Sequence, residues 1–212
     1  MDTFKGGFAG AALALATFTP ITANATYLYN NIGVASGGTA SASTSDHGPL
    51  GNSFSTGPSP FTLNLVDVVV LADDPGDGGS FTVSLLSDSS IHPGTTISTD
   101  TFADSLLSTS LSTLSAPFSS IALAPDTRYW IELSTSTGSL EWAYAAANNG
   151  VGVANEYNFY AGSVSPNSSF TPYQMSIGSA VPEASTWALM LAGFAGLGLV
   201  GYRTSRKSFA AA

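Results

Sequence analysis

The chain has 212 residues, no cysteine, and only 9% charged residues, against roughly 25% in an average soluble domain. Without cysteine there is no disulfide scaffold, no thiolate metal site and no thiol nucleophile. Polarity comes instead from 32 Ser and 22 Thr; with 22 Gly and 11 Pro these predict a β-rich, turn-rich protein, and 44% hydrophobic content suffices for a packed core. Charge is unevenly placed. Between Thr26 and Pro182 stand twelve acidic residues and one basic residue, Arg128; the other four basic residues lie towards the ends. So acidic a body repels phosphate backbones, which argues against nucleic acid as a partner. A chain poor in Lys and Arg but rich in Ser, Thr and Gly suits an exported protein.

The first 25 residues read as a signal peptide. Lys5 is a thin positive start, Gly6 to Phe18 is uncharged and mostly apolar, and Pro20 breaks the helix. Ala23-Asn24-Ala25 offers signal peptidase its small-x-small pattern, so cleavage is expected after Ala25.

Residues 26–178 read as short strands separated by turns. Phe61–Leu65, Phe81–Leu85, Tyr129–Leu133 and Leu140–Tyr144 alternate apolar and polar residues, the two-residue period of half-buried strands. Val66–Leu71 is almost continuously apolar, which predicts a strand buried on both faces. Asn52–Thr56, Thr101–Leu107, Phe118–Leu123, Tyr157–Ala161 and Tyr173–Ile177 are further candidates. Proline-containing pairs such as Pro75-Gly76, Pro93-Gly94 and Pro125-Asp126 punctuate them as turns. Ser36–Ser45 is low in complexity and reads as a surface loop. Nine or ten short strands and no helical periodicity predict an all-β domain, an antiparallel β-sandwich of jelly-roll type.

The C-terminal region reads as a second targeting segment. Residues 179–186 form a linker containing Pro182-Glu183, and Trp187–Tyr202 is a single uncharged apolar span that predicts a transmembrane helix in membrane lipid. Arg203, Arg206 and Lys207 follow at once, so 203–212 is expected on the cytoplasmic side and the body outside. Gly196 to Gly201 fits G-x-G-x-x-G, but inside an apolar span with no following βαβ unit it does not read as a dinucleotide site.

Three chemistries are open to the body. Asp73, Asp74 and Asp77, in an acidic Gly-containing turn between Val66–Leu71 and Ser80–Leu86, are weak candidates for calcium; the plainer reading is a hairpin turn. Trp130, Trp142 and Tyr160, with Tyr144, Tyr157 and Phe159, offer ring faces on which sugars stack, and Asn148, Asn149 and Asn155 offer hydrogen bonds. The competing reading puts most of these rings in the core and leaves Trp130 as the exposed one. Catalytic residues are not expected: His47 and His92 are the only histidines, neither in a catalytic motif. A hydrolase would need a cleft with convergent carboxylates or a His beside a Ser. Glu132 and Glu141 are one pair that could meet across a hairpin.

Two resemblances add to this reading. Val181-Pro182-Glu183-Ala184, the apolar span and the basic end resemble a PEP-CTERM sorting signal. The family usually has a second Pro where Ala184 stands. That resemblance implies recognition of Val181, Pro182 and Glu183 by an exosortase-type transpeptidase and transfer to the cell surface or extracellular matrix. The body segments Leu50–Gly57, Asp77–Asp88 and Leu123–Leu133 resemble the choice-of-anchor R domain, which implies an all-β extracellular module and no known activity. The resulting expectation is an exported, membrane-tethered, exosortase-processed protein with a structural or adhesive role and no enzymatic activity. A carbohydrate-binding module for exopolysaccharide and a secreted hydrolase are the alternatives.

Overall fold

The computed structural model describes residues 26–43, 46–72, 74–76, 78–138, 140–168, 171–179 and 193–195. Ala23, Ala25, Asp73, Asp77, Val181, Pro182, Glu183, Arg203, Arg206 and Lys207 lie outside the described residues, as does the predicted membrane span apart from 193–195, which are helical. Among the described residues no helix is long and apolar enough to cross a membrane. The chain divides into two units, Ala25–Val181 and the two ends, Met1–Asn24 with Pro182–Ala212.

Within Ala25–Val181 the described strands are β1 (Thr26–Asn30), β2 (Ser36–Ser41), β3 (Leu50–Ser55), β4 (Phe61–Ala72), β5 (Ser80–Ser89), β6 (His92–Ala103), β7 (Ser112–Leu123), β8 (Arg128–Thr137), β9 (Leu140–Ala145), β10 (Tyr157–Tyr160), β11 (Ser163–Pro166) and β12 (Met175–Ser179). One sheet runs β1-β12-β4-β9-β2, with β7 also paired to β4; the other runs β11-β10-β3-β8-β5-β6. All strand pairings are antiparallel. Several pairs are nested in sequence: β5 with β6, β4 with β7 around them, then β3 with β8, β2 with β9, and β1 with β12. The hairpin β10–β11 is inserted between the last two closures.

The alternating residues read from the sequence build the core. Val66, Val68 and Val70 of β4 and Leu140 and Trp142 of β9 come from one sheet; Phe54 of β3, Val83 and Leu85 of β5, and Ile131 and Leu133 of β8 come from the other. All belong to one buried cluster, and each such side chain removed from water contributes about 1.5–3 kcal/mol.

Several sequence expectations need correcting. Phe61–Leu65 and Val66–Leu71 are one continuous strand, β4. Its second half is not buried on both faces: Val66, Val68 and Val70 are buried, while Asp67, Val69 and Leu71 are half-buried. The valine run hid the alternation because β-branched residues suit both faces of a pleat. β4 and β5 do not form a hairpin, since they belong to different sheets. Nor do β8 and β9 form a hairpin: Glu132 pairs with Gly51 and Ser84 in one sheet and Glu141 with Leu71 and Ser41 in the other. Pro93 and Pro117 lie inside β6 and β7, both edge strands, the sheet position to which proline is largely confined. The Ser/Gly-rich segment expected as a loop supplies β2.

Residues 26–179 should therefore express as a soluble all-β domain. Far-UV circular dichroism is expected to show a strand spectrum, and Ile131→Ala should lower unfolding free energy by about 2–5 kcal/mol in urea titrations. A helix-dominated spectrum would contradict this fold.

Candidate functional site

The site grows from the segment Thr171–Met175, which leads into β12. Its peptide groups are held by buried side chains from both sheets. Asn31 donates from Nδ2 to the Tyr173 carbonyl (2.9 Å) and accepts the Met175 N–H at Oδ1 (2.8 Å). Asn52 Oδ1 of β3 accepts the Tyr173 N–H (3.2 Å), and Asn158 Nδ2 of β10 donates to the Thr171 carbonyl (3.2 Å). From β9, the Ala145 N–H donates to the Pro172 carbonyl, the Ala143 carbonyl accepts the Gln174 N–H, and the Trp142 indole donates to the Gln174 carbonyl, each at 2.8 Å. Trp142 also stacks on Tyr173, with centroids 4.7 Å apart. A buried peptide group left unpaired costs about 1–3 kcal/mol, so these amides are structural requirements of the segment.

Over this floor lies a cleft of about 470 Å³. The β2/β9 edge contributes Thr39, Ala40, Ser41, Glu141 and Tyr144; the loop before β3 contributes Asp46 and His47; β10 contributes Asn158 and Tyr160; the floor itself contributes Thr171 and Tyr173. Thr39 Oγ1 donates to Glu141 Oε2. His47 stacks on Tyr160 with centroids 4.7 Å apart, and its Nδ1 lies 2.7 Å from Asp46 Oδ2. Burial pushes the Tyr173 phenol well above the usual tyrosine range, reinforced by the neighbouring phenols Tyr160 and Tyr144.

Tyr144 can lie along β2 only because Gly37 and Gly38 leave the backbone bare. A Cβ on Gly37 would stand 2.9 Å from the ring, one on Gly38 would collide with the phenol oxygen, and Gly38 has φ +140°. The low complexity of this stretch is thus a packing requirement.

Of the rings proposed for sugar stacking, the cleft takes Tyr160 and Tyr144. Trp130 and Trp142 are fully buried at 0% exposure, which corrects the expectation of an exposed Trp130. The Trp130 indole donates to Asp88 Oδ1 (2.8 Å). Phe159 packs against Gly51, and Tyr157 lies under Arg128. His92 is exposed near the β5–β6 turn, its Nδ1 3.1 Å from the Ser90 carbonyl oxygen. Asp74 Oδ1 accepts the Gly76 N–H (2.9 Å), the usual work of an Asp in a turn. Among the described residues no three His, Cys, Asp or Glu side chains gather as a metal site. Sequence reasoning missed Asp46, Thr39 and Ser41 as cleft residues; the signal available was an Asp-His pair interrupting a run of small residues.

The body's one cation is committed elsewhere. Arg128 Nε donates to the buried Glu156 Oε2 (3.1 Å), Nη2 donates to the Asn155 carbonyl (3.2 Å), and the guanidinium lies 4.8 Å from the Tyr157 ring centroid. Ser53 Oγ donates to the same carboxylate oxygen and accepts the Tyr157 N–H.

No protein-family model matches the chain, and a search of curated proteins finds no match. The resemblances of the tail and the body rest on their own residues.

Removing Arg128 would leave Glu156 buried and unpaired. Arg128→Ala is expected to cost about 3 kcal/mol, the low end for stripping one partner from a buried ion pair because the guanidinium is partly exposed. Adding Glu156→Gln to that variant should recover part of the loss. Urea unfolding of both variants checks it; an unchanged midpoint for Arg128→Ala would show the pair to be idle.

Proposed function

We propose that this chain is an exported, non-enzymatic surface or matrix module with an adhesive role, exerted by binding saccharide in the cleft. The single observation that carries this reading is the convergence of Tyr144, Tyr160 and Tyr173 with the carboxylates of Asp46 and Glu141 around one cleft. Pyranose rings present C–H faces that pack on aromatic rings, and carboxylates accept hydrogen bonds from their hydroxyls. Exopolysaccharide is the ligand class this reading names. The body is taken as a jelly-roll β-sandwich, supported by the nested strand pairing and the common core.

The tail belongs to the same reading. Signal peptidase removes 1–25, Trp187–Tyr202 holds the chain in the inner membrane with the body outside, and an exosortase-type enzyme cleaves near Pro182-Glu183 for surface or matrix delivery. The ordered motif, apolar span and basic stop support it. Calcium at Asp73, Asp74 and Asp77 is no part of it.

Hydrolysis is the second reading, because Asp46, His47, Glu141 and Ser41 share the cleft. Against it, Ser41 Oγ accepts the Ser43 N–H, and among the described residues no hydrogen bond joins Ser41 to His47.

A panel of oligosaccharides applied to the full-length protein is expected to yield binding that Tyr160→Ala weakens about tenfold, ~1.4 kcal/mol. Release of new reducing ends would favour the hydrolase instead. In a host with the processing enzyme, Glu183→Ala should block cleavage yet leave membrane insertion intact. Mass spectrometry of the surface fraction decides this, and a mature wild-type chain still carrying Trp187–Ala212 would refute sorting.

A further inference from the structure

We infer that the cleft selects saccharides bearing protonated amines, such as de-N-acetylated hexosamine chains, over chains bearing carboxylate or sulfate. The inference rests on the saccharide-binding reading above and names the chemical class that reading leaves open. Two carboxylates, Asp46 and Glu141, line the cleft, and no Lys or Arg is among its lining residues. The sequence between Thr26 and Pro182 contains one such cation, Arg128, and its guanidinium is engaged by Glu156, Asn155 and Tyr157.

The partners these carboxylates do have leave room for a cation. Glu141 Oε2 accepts a hydrogen bond from the Thr39 hydroxyl, a neutral donor that leaves the charge uncompensated. Asp46 faces His47, whose imidazole also covers a face of Tyr160. An ammonium on a pyranose seated against Tyr144 and Tyr160 therefore meets a carboxylate and an aromatic face together. Both attract it, the first by a charge-assisted hydrogen bond and the second through the ring quadrupole. A uronate or sulfate in the same place meets two like charges and no guanidinium fork to pair with. An N-acetyl group offers an amide in place of the charge and forgoes the ionic part.

The test measures binding of the full-length protein, in mild detergent and near-neutral buffer, to a β-1,4-linked glucosamine hexamer, its N-acetylated counterpart and a galacturonate hexamer. The amine hexamer is expected to bind at least fivefold tighter than the acetylated one, with galacturonate weakest. Added salt should shrink the preference, because a partly exposed ion pair is screened. In the double variant D46N/E141Q, which keeps side-chain volume and hydrogen-bonding capacity, the amine and acetylated hexamers should bind alike. Equal binding of those two by the wild type, tighter binding of galacturonate, or a preference that survives D46N/E141Q would overturn this inference. If the acetylated hexamer binds and Tyr160→Ala abolishes it while no amine preference exists, the saccharide reading stands and this inference alone falls. If no hexamer binds, both fall.

Discussion

The structure around the cleft depends on how one short segment, Thr171–Met175, is fastened. Before β12 begins it makes an isolated antiparallel bridge, Tyr173 with Tyr144 of β9, and it passes through the interior beside Trp142. Polar backbone in that position is tolerable only when each group finds a partner. Asn31, Asn52 and Asn158 provide side-chain partners, and β9 provides a carbonyl, an N–H and an indole. Asn52 and Asn158 belong to one sheet and β9 to the other, so the segment ties the two together. Their amides are buried for this reason, and Tyr173 is fixed as the floor of the cleft.

Charge is handled with similar economy. A body with a dozen carboxylates and one guanidinium has little freedom to bury ions. Among the described residues most acidic side chains are exposed or half-buried; Asp104 and Glu156 are buried, and Arg128 is spent on Glu156. Glu132 lies half-buried opposite Gly51 and Ser84, and burial raises its carboxyl above the usual range. The cleft is lined by Asp46 and Glu141, with no Lys or Arg among its lining residues.

Much of the fold was legible because half-buried strands carry their own signature. Phe81–Leu85, Tyr129–Leu133 and Leu140–Tyr144 alternate, and all three lie in strands whose inward residues join one core. β2 was illegible for a physical reason: a strand of Ser, Gly, Thr and Ala has no apolar stripe, and its glycines serve Tyr144 across the ladder. The candidate Thr101–Leu107 meets β6 only in its first three residues and then runs into a short 3-10 helix at Asp104–Leu106, whereas Phe118–Leu123 stops short of the start of β7 because proline usually ends a strand; only the sheet order reveals that β6 and β7 are edges. The cleft was harder still. Its residues come from β2, the loop before β3, β9, β10 and the floor, and no local pattern relates Asp46 to Glu141 or Tyr160 to Tyr144. Trp130 illustrates the limit of alternation. Alternation puts its face outward, yet its ring is buried with the indole N–H on Asp88.

The central claim is that Tyr144 and Tyr160 form the surface on which a saccharide ring rests. Aromatic side-chain NMR of the protein titrated with an oligosaccharide tests it most directly. The account expects the Tyr144 and Tyr160 ring resonances to shift and to show intermolecular Overhauser contacts with pyranose C–H protons, while the indole resonances of Trp130 and Trp142 stay in place. Contacts confined to rings outside the cleft, with Tyr144 and Tyr160 unmoved at saturation, would contradict it.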